Sequence, residues 1–217
     1  VDLGSALSIS DTESLEINEL NKPITTAATL QAWLKPQIEY TNDSGADIRL
    51  FQLKENVSGD VIDASINLLV DSKILKVTIG NSEFSINGLM PSGGLNSRGD
   101  DELIPVTDFN SNFVHFSVVV EDGKDPLLYL NGRPISDDYA TEVNDKLDEV
   151  DENYTGPYLN FTIATSPISI TPGTLISSKS RYTNTIYVGG GNNAIVDEIR
   201  VWKSIRDAET IRNNYKR

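Results

Sequence analysis

Residues 185–217 read TIYVGGGNNAIVDEIRVWKSIRDAETIRNNYKR. The segment Thr185 to Val188 is a β-branched and aromatic run of strand type. Three glycines, Gly189 to Gly191, break it and mark a turn. A second strand follows, with Ile195, Val196, Ile199, Val201 and Trp202, and a short helix closes the stretch. Asp207 is placed to cap that helix, Glu209 sits in its first turn, and Ala208, Ile211 and Tyr215 supply a stripe to bury. Strand, turn, strand and short helix suggest an antiparallel β-layer with the carboxy-terminal segment woven into it and the helix capping an edge.

Working outward, short strand-like runs alternate with turn clusters, which is the pattern of an all-β chain. Ala6 to Ile9 and Leu15 to Ile17 form a first pair. In Thr29 to Lys35, Leu30, Ala32 and Leu34 lie opposite Gln31, Trp33 and Lys35, so one face is apolar. Ile48 to Leu53, Ser65 to Val70, Lys73 to Ile79 and Glu83 to Ile86 continue the pattern, with a hairpin around Asp71-Ser72. Phe113 to Val120 is a nearly continuous apolar run, as expected of a strand covered on both faces. Asn131-Gly132 is the strongest hairpin dipeptide in the chain. Residues 87–112 are rich in Gly, Ser, Asn and Asp and are read as a long surface loop with an extended piece at Leu103 to Val106. Residues 137–152 carry eight acids against one lysine. They read as a solvated insertion with a helix over Thr141 to Val150, docked through Val143, Leu147 and Val150.

The whole is expected to be one two-sheet antiparallel sandwich spanning 1–217, a length that suffices for a single core. Net charge is −14 and the isoelectric point is near 4.4. Nucleic acid and anionic membranes need a basic footprint, so neither is expected as a partner. There is no cysteine, which removes disulfides, thiolate metal sites and cysteine nucleophiles. No apolar run is long enough to span a bilayer. The chain starts at Val1, which is read as the start of a processed or excised piece of a longer protein. Four Asn-x-Ser/Thr tripeptides, at Asn42, Asn56, Asn153 and Asn160, are the number chance supplies in a chain so rich in these residues.

Three blocks carry a resemblance. ALSISDTESLEI (6–17) followed by ATLQAWLKP (28–36), then FVHFSVVVEDGKDPLLYLNGRPI (113–135), then IVDEIRVWKSIRDAETI (195–211) occur in one order. Together they resemble the laminin-G-like, pentraxin-like domains of the concanavalin A-like lectin/glucanase superfamily, with His115, Tyr129, Asn131 and Gly132 in the second block and Asp197, Glu198, Arg200 and Trp202 in the third. The resemblance implies a jelly-roll sandwich, frequent calcium binding, and roles in carbohydrate binding or adhesion on exported surface proteins. It also admits a purely structural or interaction domain of a virion, fibre or surface assembly. The segments 87–112 and 137–152 depart from the family pattern.

No catalytic set emerges. Glu149-Val150-Asp151-Glu152 begins like the strand motif of the superfamily's glucanases but lacks the last carboxylate, and adjacent Asp197-Glu198 would point to opposite faces of a strand. A serine hydrolase needs a histidine base, and the one histidine, His115, sits inside an apolar strand. A non-catalytic module binding a glycan or a partner protein is therefore expected, outside the cell or on its surface. For sugar contact the loop tyrosines Tyr139, Tyr154, Tyr158 and Tyr182 are the candidate platforms, with Arg98 and Arg181 as hydrogen-bonding cations. Trp33 and Trp202 are assigned to packing, and Arg98-Gly99-Asp100 to chance. For calcium the family-like candidates are Asp197 and the first-strand turn with Asp11 and Glu13. On strand parity Asp197 shares a face with Ile199 and Val201 and would point inward, where a carboxylate needs a cation or several donors.

Overall fold

The computed structural model describes residues 6–9, 15–17, 24, 26–36, 46–55, 61–69, 74–87, 89–92, 102–105, 113–150, 152–153, 158–170, 175–176, 181–182, 184–188 and 194–215. Two antiparallel sheets make up the body. The first contains β1 (Leu7–Ile9), β17 (Ala194–Trp202), β3 (Ala27–Pro36), β10 (Val114–Glu121), β11 (Leu127–Leu130) and β12 (Arg133–Pro134), in that spatial order. The second contains β13 (Asn160–Ala164), β7 (Ser82–Asn87), β6 (Ile74–Ile79), β5 (Val61–Leu69), β4 (Ala46–Glu55), β16 (Asn184–Val188) and β2 (Leu15–Ile17). Two small ladders stand apart: β8 (Leu89–Ser92) with β9 (Glu102–Pro105), and β14 (Leu175–Ile176) with β15 (Arg181–Tyr182). Among the described residues there are also two helices, α1 (Asp137–Val150) and α2 (Ala208–Tyr215).

The period-2 pattern builds the core. Leu30, Ala32 and Leu34 of β3 join Val114, Phe116, Val118 and Val120 of β10 and Leu128 and Leu130 of β11. From the second sheet come Leu75, Val77 and Ile79 of β6 and Phe84 and Ile86 of β7, with alternate residues half-buried on the other face. Phe116, Leu34, Leu75, Ile79 and Ile86 are fully buried, each contributing about 1.5–3 kcal/mol of transfer free energy.

The turn chemistry follows the residues. Asn131 and Gly132 both adopt positive φ, 48° and 77°, as a two-residue hairpin between β11 and β12 requires. Gly80, at φ 59°, opens the equally tight turn between β6 and β7. The turn at Asp71-Ser72 lies outside the described residues, but β5 and β6 do pair antiparallel, Leu69 opposite Ile74.

Several expectations are corrected. β1 and β2 do not pair with each other: β1 adds to β17 in one sheet and β2 to β16 in the other. The strands on either side of the glycine turn likewise belong to different sheets. Residues 87–112 are not wholly loop, since β8 and β9 form a ladder there with Met90 opposite Ile104. The acidic segment is a longer helix than expected. The Ser136 hydroxyl accepts from the Tyr139 N–H at 3.3 Å and starts α1 four residues early, with Asp137 and Asp138 in its first turn. Tyr139, Ala140 and Val143 then enter the main core, so the segment is anchored by its apolar stripe. Finally, α2 does not cap an edge. It lies on the outer face of the six-stranded sheet, where Ile211 packs with Val119 and Tyr129 and the Tyr215 ring stacks on Trp33 at 5.4 Å. This cover is why β10 is buried on both faces. Asp207 caps α2 as expected, accepting from the Thr210 N–H at 2.7 Å, and hydrogen bonds from Thr210 hold its carboxyl below the usual range. Ala208, expected in the buried stripe, is exposed.

Candidate functional site

α2 is held close by the β11–β12 turn. A side chain at Gly132 would come within 3.0 Å of the Tyr215 Cβ and 3.1 Å of the Arg212 Cα, so only glycine fits between turn and helix. The same turn hands the chain to α1 through Ser136. The amino-terminal ends of both helices therefore converge on one cleft of about 400 Å³. Asp138 and Glu142 of α1, Arg133 of β12, and Glu209 and Arg212 of α2 line it, with Pro134, Ala208 and the Tyr139 ring supplying apolar wall. Arg133 pairs with Glu142 and lies over the Tyr139 ring, its guanidinium carbon 5.5 Å from the centroid. Carboxylate acceptors and guanidinium donors thus share the cleft with apolar side chains. That combination suits a neutral polyhydroxyl ligand, whose hydroxyls donate and accept while its C–H faces need apolar contact.

Beneath α2 lies a second polar group set. Gln31 stands between Ser117 and Arg200 across the strands, and Ser117 stands opposite Tyr129. Gln31 and Ser117 are fully buried, and neither the Gln31 amide nor the Ser117 hydroxyl has a protein partner among the described residues. His115 is 2% exposed, its ring 5.2 Å from Trp33 and 5.9 Å from Tyr215. Burial, reinforced by the Arg200 guanidinium, lowers its pKa to about 3. The imidazole is therefore neutral and sealed, and its place in the fold is structural. Its backbone N–H donates to the Asn131 Oδ1 at 3.0 Å, tying β10 to the Asn-Gly turn. Burial, and then the Asp207 carboxylate, raises the Tyr129 hydroxyl above its ordinary pKa.

The candidate site residues fare unequally. Tyr139 lines the cleft, but as a helical residue only 4% exposed, wedged between Arg133 and Phe161, so it is wall and not an open platform. Tyr158 is exposed and donates to the Asp148 Oδ1 at 2.8 Å. Arg181 and Tyr182 are strand residues, paired with Ile176 and Leu175, and not loop residues. Tyr154, Arg98, Asp11 and Glu13 lie outside the described residues, as do Gly99 and Asp100. The cleft residues Arg133, Glu142, Glu209 and Arg212 were missed, because nothing in the sequence announces that two helix starts and an Asn-Gly turn meet. Trp202, assigned to packing, is half-buried with the Arg206 guanidinium carbon 5.3 Å from its ring.

Asp197 needs a correction of its own. Val196, one residue earlier, is in the core, and Asp197 pairs with Trp33 on the outer face. The register shifts between Asp197 and Arg200, and Glu198 takes φ 48°. This bulge inserts one residue and reverses strand parity, so Ile199 and Val201 face the core while Asp197 does not. The Asp197 Oδ1 accepts from the Glu198 N–H at 2.8 Å and steadies the bulge, and Glu198 pairs with Arg200 at 2.6 Å. Calcium needs several oxygens about one point. Among the described residues no three His, Asp or Glu side chains are so gathered.

No protein-family model matches this chain, and no curated protein sequence does. Among solved structures it is similar to the botulinum neurotoxin type G receptor binding domain, with 9% identity and a TM-score of 0.47 over 100% of this chain and 43% of that one. It is similar to the binding domain of botulinum neurotoxin serotype D, with 10% identity and a TM-score of 0.47 over 97% of this chain and 42% of that one. It is also similar to the binding domain of Paraclostridial Mosquitocidal Protein 1, with 12% identity and a TM-score of 0.44 over 97% and 42%. The chain spans less than half the length of each of these structures.

Proposed function

We propose that this domain is a non-catalytic binding module of a larger exported protein, and that its ligand is a glycan seated in the cleft between α1 and α2. One observation carries the reading: the cleft sets acidic acceptors and guanidinium donors beside apolar wall from Pro134, Ala208 and Tyr139. A serine–histidine hydrolase finds no support in the cleft. The only imidazole is buried elsewhere and neutral, and the Ser136 hydroxyl is committed to the α1 cap. Calcium, implied by the family resemblance, enters as an arm of the test.

The experiment is a glycan array followed by calorimetric titration of the hits, with calcium and with chelator. Glu209→Gln and Arg212→Ala change exposed cleft residues on the outer side of α2. Each is expected to weaken binding about tenfold, the loss of one charge-assisted hydrogen bond, with the far-UV spectrum unchanged. If no glycan binds under either condition, or if both variants bind like the parent, the reading is wrong.

A further inference from the structure

We infer that the outer edge of β13 is a docking strand for an extended peptide with a neutral β-branched centre and basic residues at both ends.

β13 is the last strand of its sheet, with β7 on one side and, among the described residues, no strand on the other. Its backbone orientation is fixed independently at both ends. At the far end, the Ser166 N–H donates to the Ser82 Oγ at 2.9 Å and the Ser82 hydroxyl donates to the Ser166 carbonyl at 3.2 Å, so Ser166 faces β7. At the near end, the Asn144 amide takes both groups of Leu159: its Nδ2 donates to the Leu159 carbonyl at 2.9 Å, and its Oδ1 accepts from the Leu159 N–H at 2.8 Å. In an antiparallel ladder, successive residues turn their N–H and C=O to opposite sides. Even-numbered positions therefore face β7, and Leu159, Phe161 and Ile163 face away from it. Asn144 makes with Leu159 the two-bond pairing that a neighbouring strand would make. Among the described residues, the next two rungs, Phe161 and Ile163, meet no further strand.

Beyond the Asn144 contact from α1, two devices that blunt an edge, charge and proline, are missing from the strand. Residues 158–165, YLNFTIAT, contain no charge and no proline in a chain whose net charge is −14. Ile163 is 43% exposed and Asn160, Thr162 and Ala164 are exposed as well, so the edge is accessible and partly apolar. An edge of this kind binds by strand addition, with backbone bonds giving affinity and side-chain pairing giving selectivity.

Charge selects the occupant. A carboxylate stands at each end of this edge: Asp148 accepts from the Tyr158 hydroxyl at 2.8 Å, and Asp125 accepts from the Thr165 hydroxyl at 2.7 Å. A second copy pairing antiparallel would bring Asp125 of one molecule toward Asp148 of the other, like charges on two strongly acidic bodies. A peptide with lysine or arginine at both ends meets opposite charge at both. The span from Tyr158 to Thr165 is about 24 Å at strand rise, which sets the basic ends about seven residues apart.

The test is fluorescence anisotropy with three labelled nine-residue peptides: lysine-flanked and glutamate-flanked on a Val-Thr-Ile centre, and lysine-flanked on a Val-Pro-Ile centre. Ile163→Pro removes an outward N–H and leaves the β7 ladder intact, so the fold is retained while the edge is blocked. The lysine-flanked peptide is expected to bind and to protect the Phe161 and Ile163 amides from hydrogen exchange. Ile163→Pro, with an unchanged urea midpoint, is expected to weaken it about three- to tenfold, and Asp125→Asn with Asp148→Asn to reduce its salt dependence. Equal binding of the proline-interrupted peptide, protection elsewhere, no binding, or dimerisation of the unliganded chain through β13 would each overturn the inference.

Discussion

The seating of α2 on the sheet turns on Gly132, and substitution there separates two costs that usually come together. Gly132 and Gly123 both hold left-handed backbone, at φ 77° and 72°. A Cβ at Gly123 meets nothing within 4 Å, whereas one at Gly132 meets Tyr215 and Arg212 at 3.0–3.2 Å. Gly123→Ala therefore pays only the left-handed penalty, about 1–2 kcal/mol. Gly132→Ala pays the same penalty plus the displacement of α2 from a well-packed contact, about 1–3 kcal/mol more. Gly80→Ala is a second control, since its Cβ would sit 3.9 Å from Ile168, an ordinary contact. Urea unfolding of the three variants, followed by far-UV circular dichroism, gives the difference directly. Tryptophan fluorescence gives the cause, because Trp33 stacks on Tyr215 and loses that neighbour when α2 shifts. The expected order is Gly132→Ala well below Gly123→Ala and Gly80→Ala, with an emission change in the first only. Equal losses in all three, with unchanged emission, would show that the turn does not hold the helix.

Two further outcomes follow from the layer under α2. His115 has a folded pKa of about 3 against an ordinary value of 6.5, so between those values the unfolded chain binds a proton that the folded chain does not. Stability from this group is full above about pH 6.5 and is lost as pH falls toward 3, at about 1.4 kcal/mol per pH unit, and His115→Asn should flatten the slope of urea stability between pH 5 and 6.5. Gln31→Met removes a buried amide that has no protein partner among the described residues and keeps its volume, so the urea midpoint should hold or rise, as should that of Ser117→Ala; a fall in either would mean that ordered water completes their hydrogen bonding.

Much of the fold was legible because strand periodicity is local. Leu30, Ala32 and Leu34 had to share a face, Asn131-Gly132 had to turn, and Asp207 had to cap. What periodicity does not state is what covers a face. Gln31 alternates with apolar neighbours along β3, yet it and Ser117 are fully buried, because a helix beginning about ninety residues beyond Ser117 folds back over them. The candidate cleft was hidden for a related reason. Its residues come from a turn and two helix starts that no spacing rule connects. The β13 edge was hidden as well, since that this strand ends a sheet is a fact of topology.

The misplaced Asp197 shows the limit most sharply. Parity arguments count residues, and they hold only while each residue of one strand faces one residue of the next. Between Asp197 and Arg200, two residues of β17 face one of β3, so every inward and outward assignment on one side of the bulge is reversed relative to the other. The short polar side chain of Asp197 supports the bulge that displaces it from the core. By accepting from the Glu198 N–H it steadies the left-handed backbone of a non-glycine residue, which would otherwise be costly. The Asp-Glu pair is therefore a backbone device. It keeps Val196 and Val201 both facing the core while turning Asp197 and Arg200 onto the outer face, where Arg200 adds its charge to the burial that keeps His115 neutral.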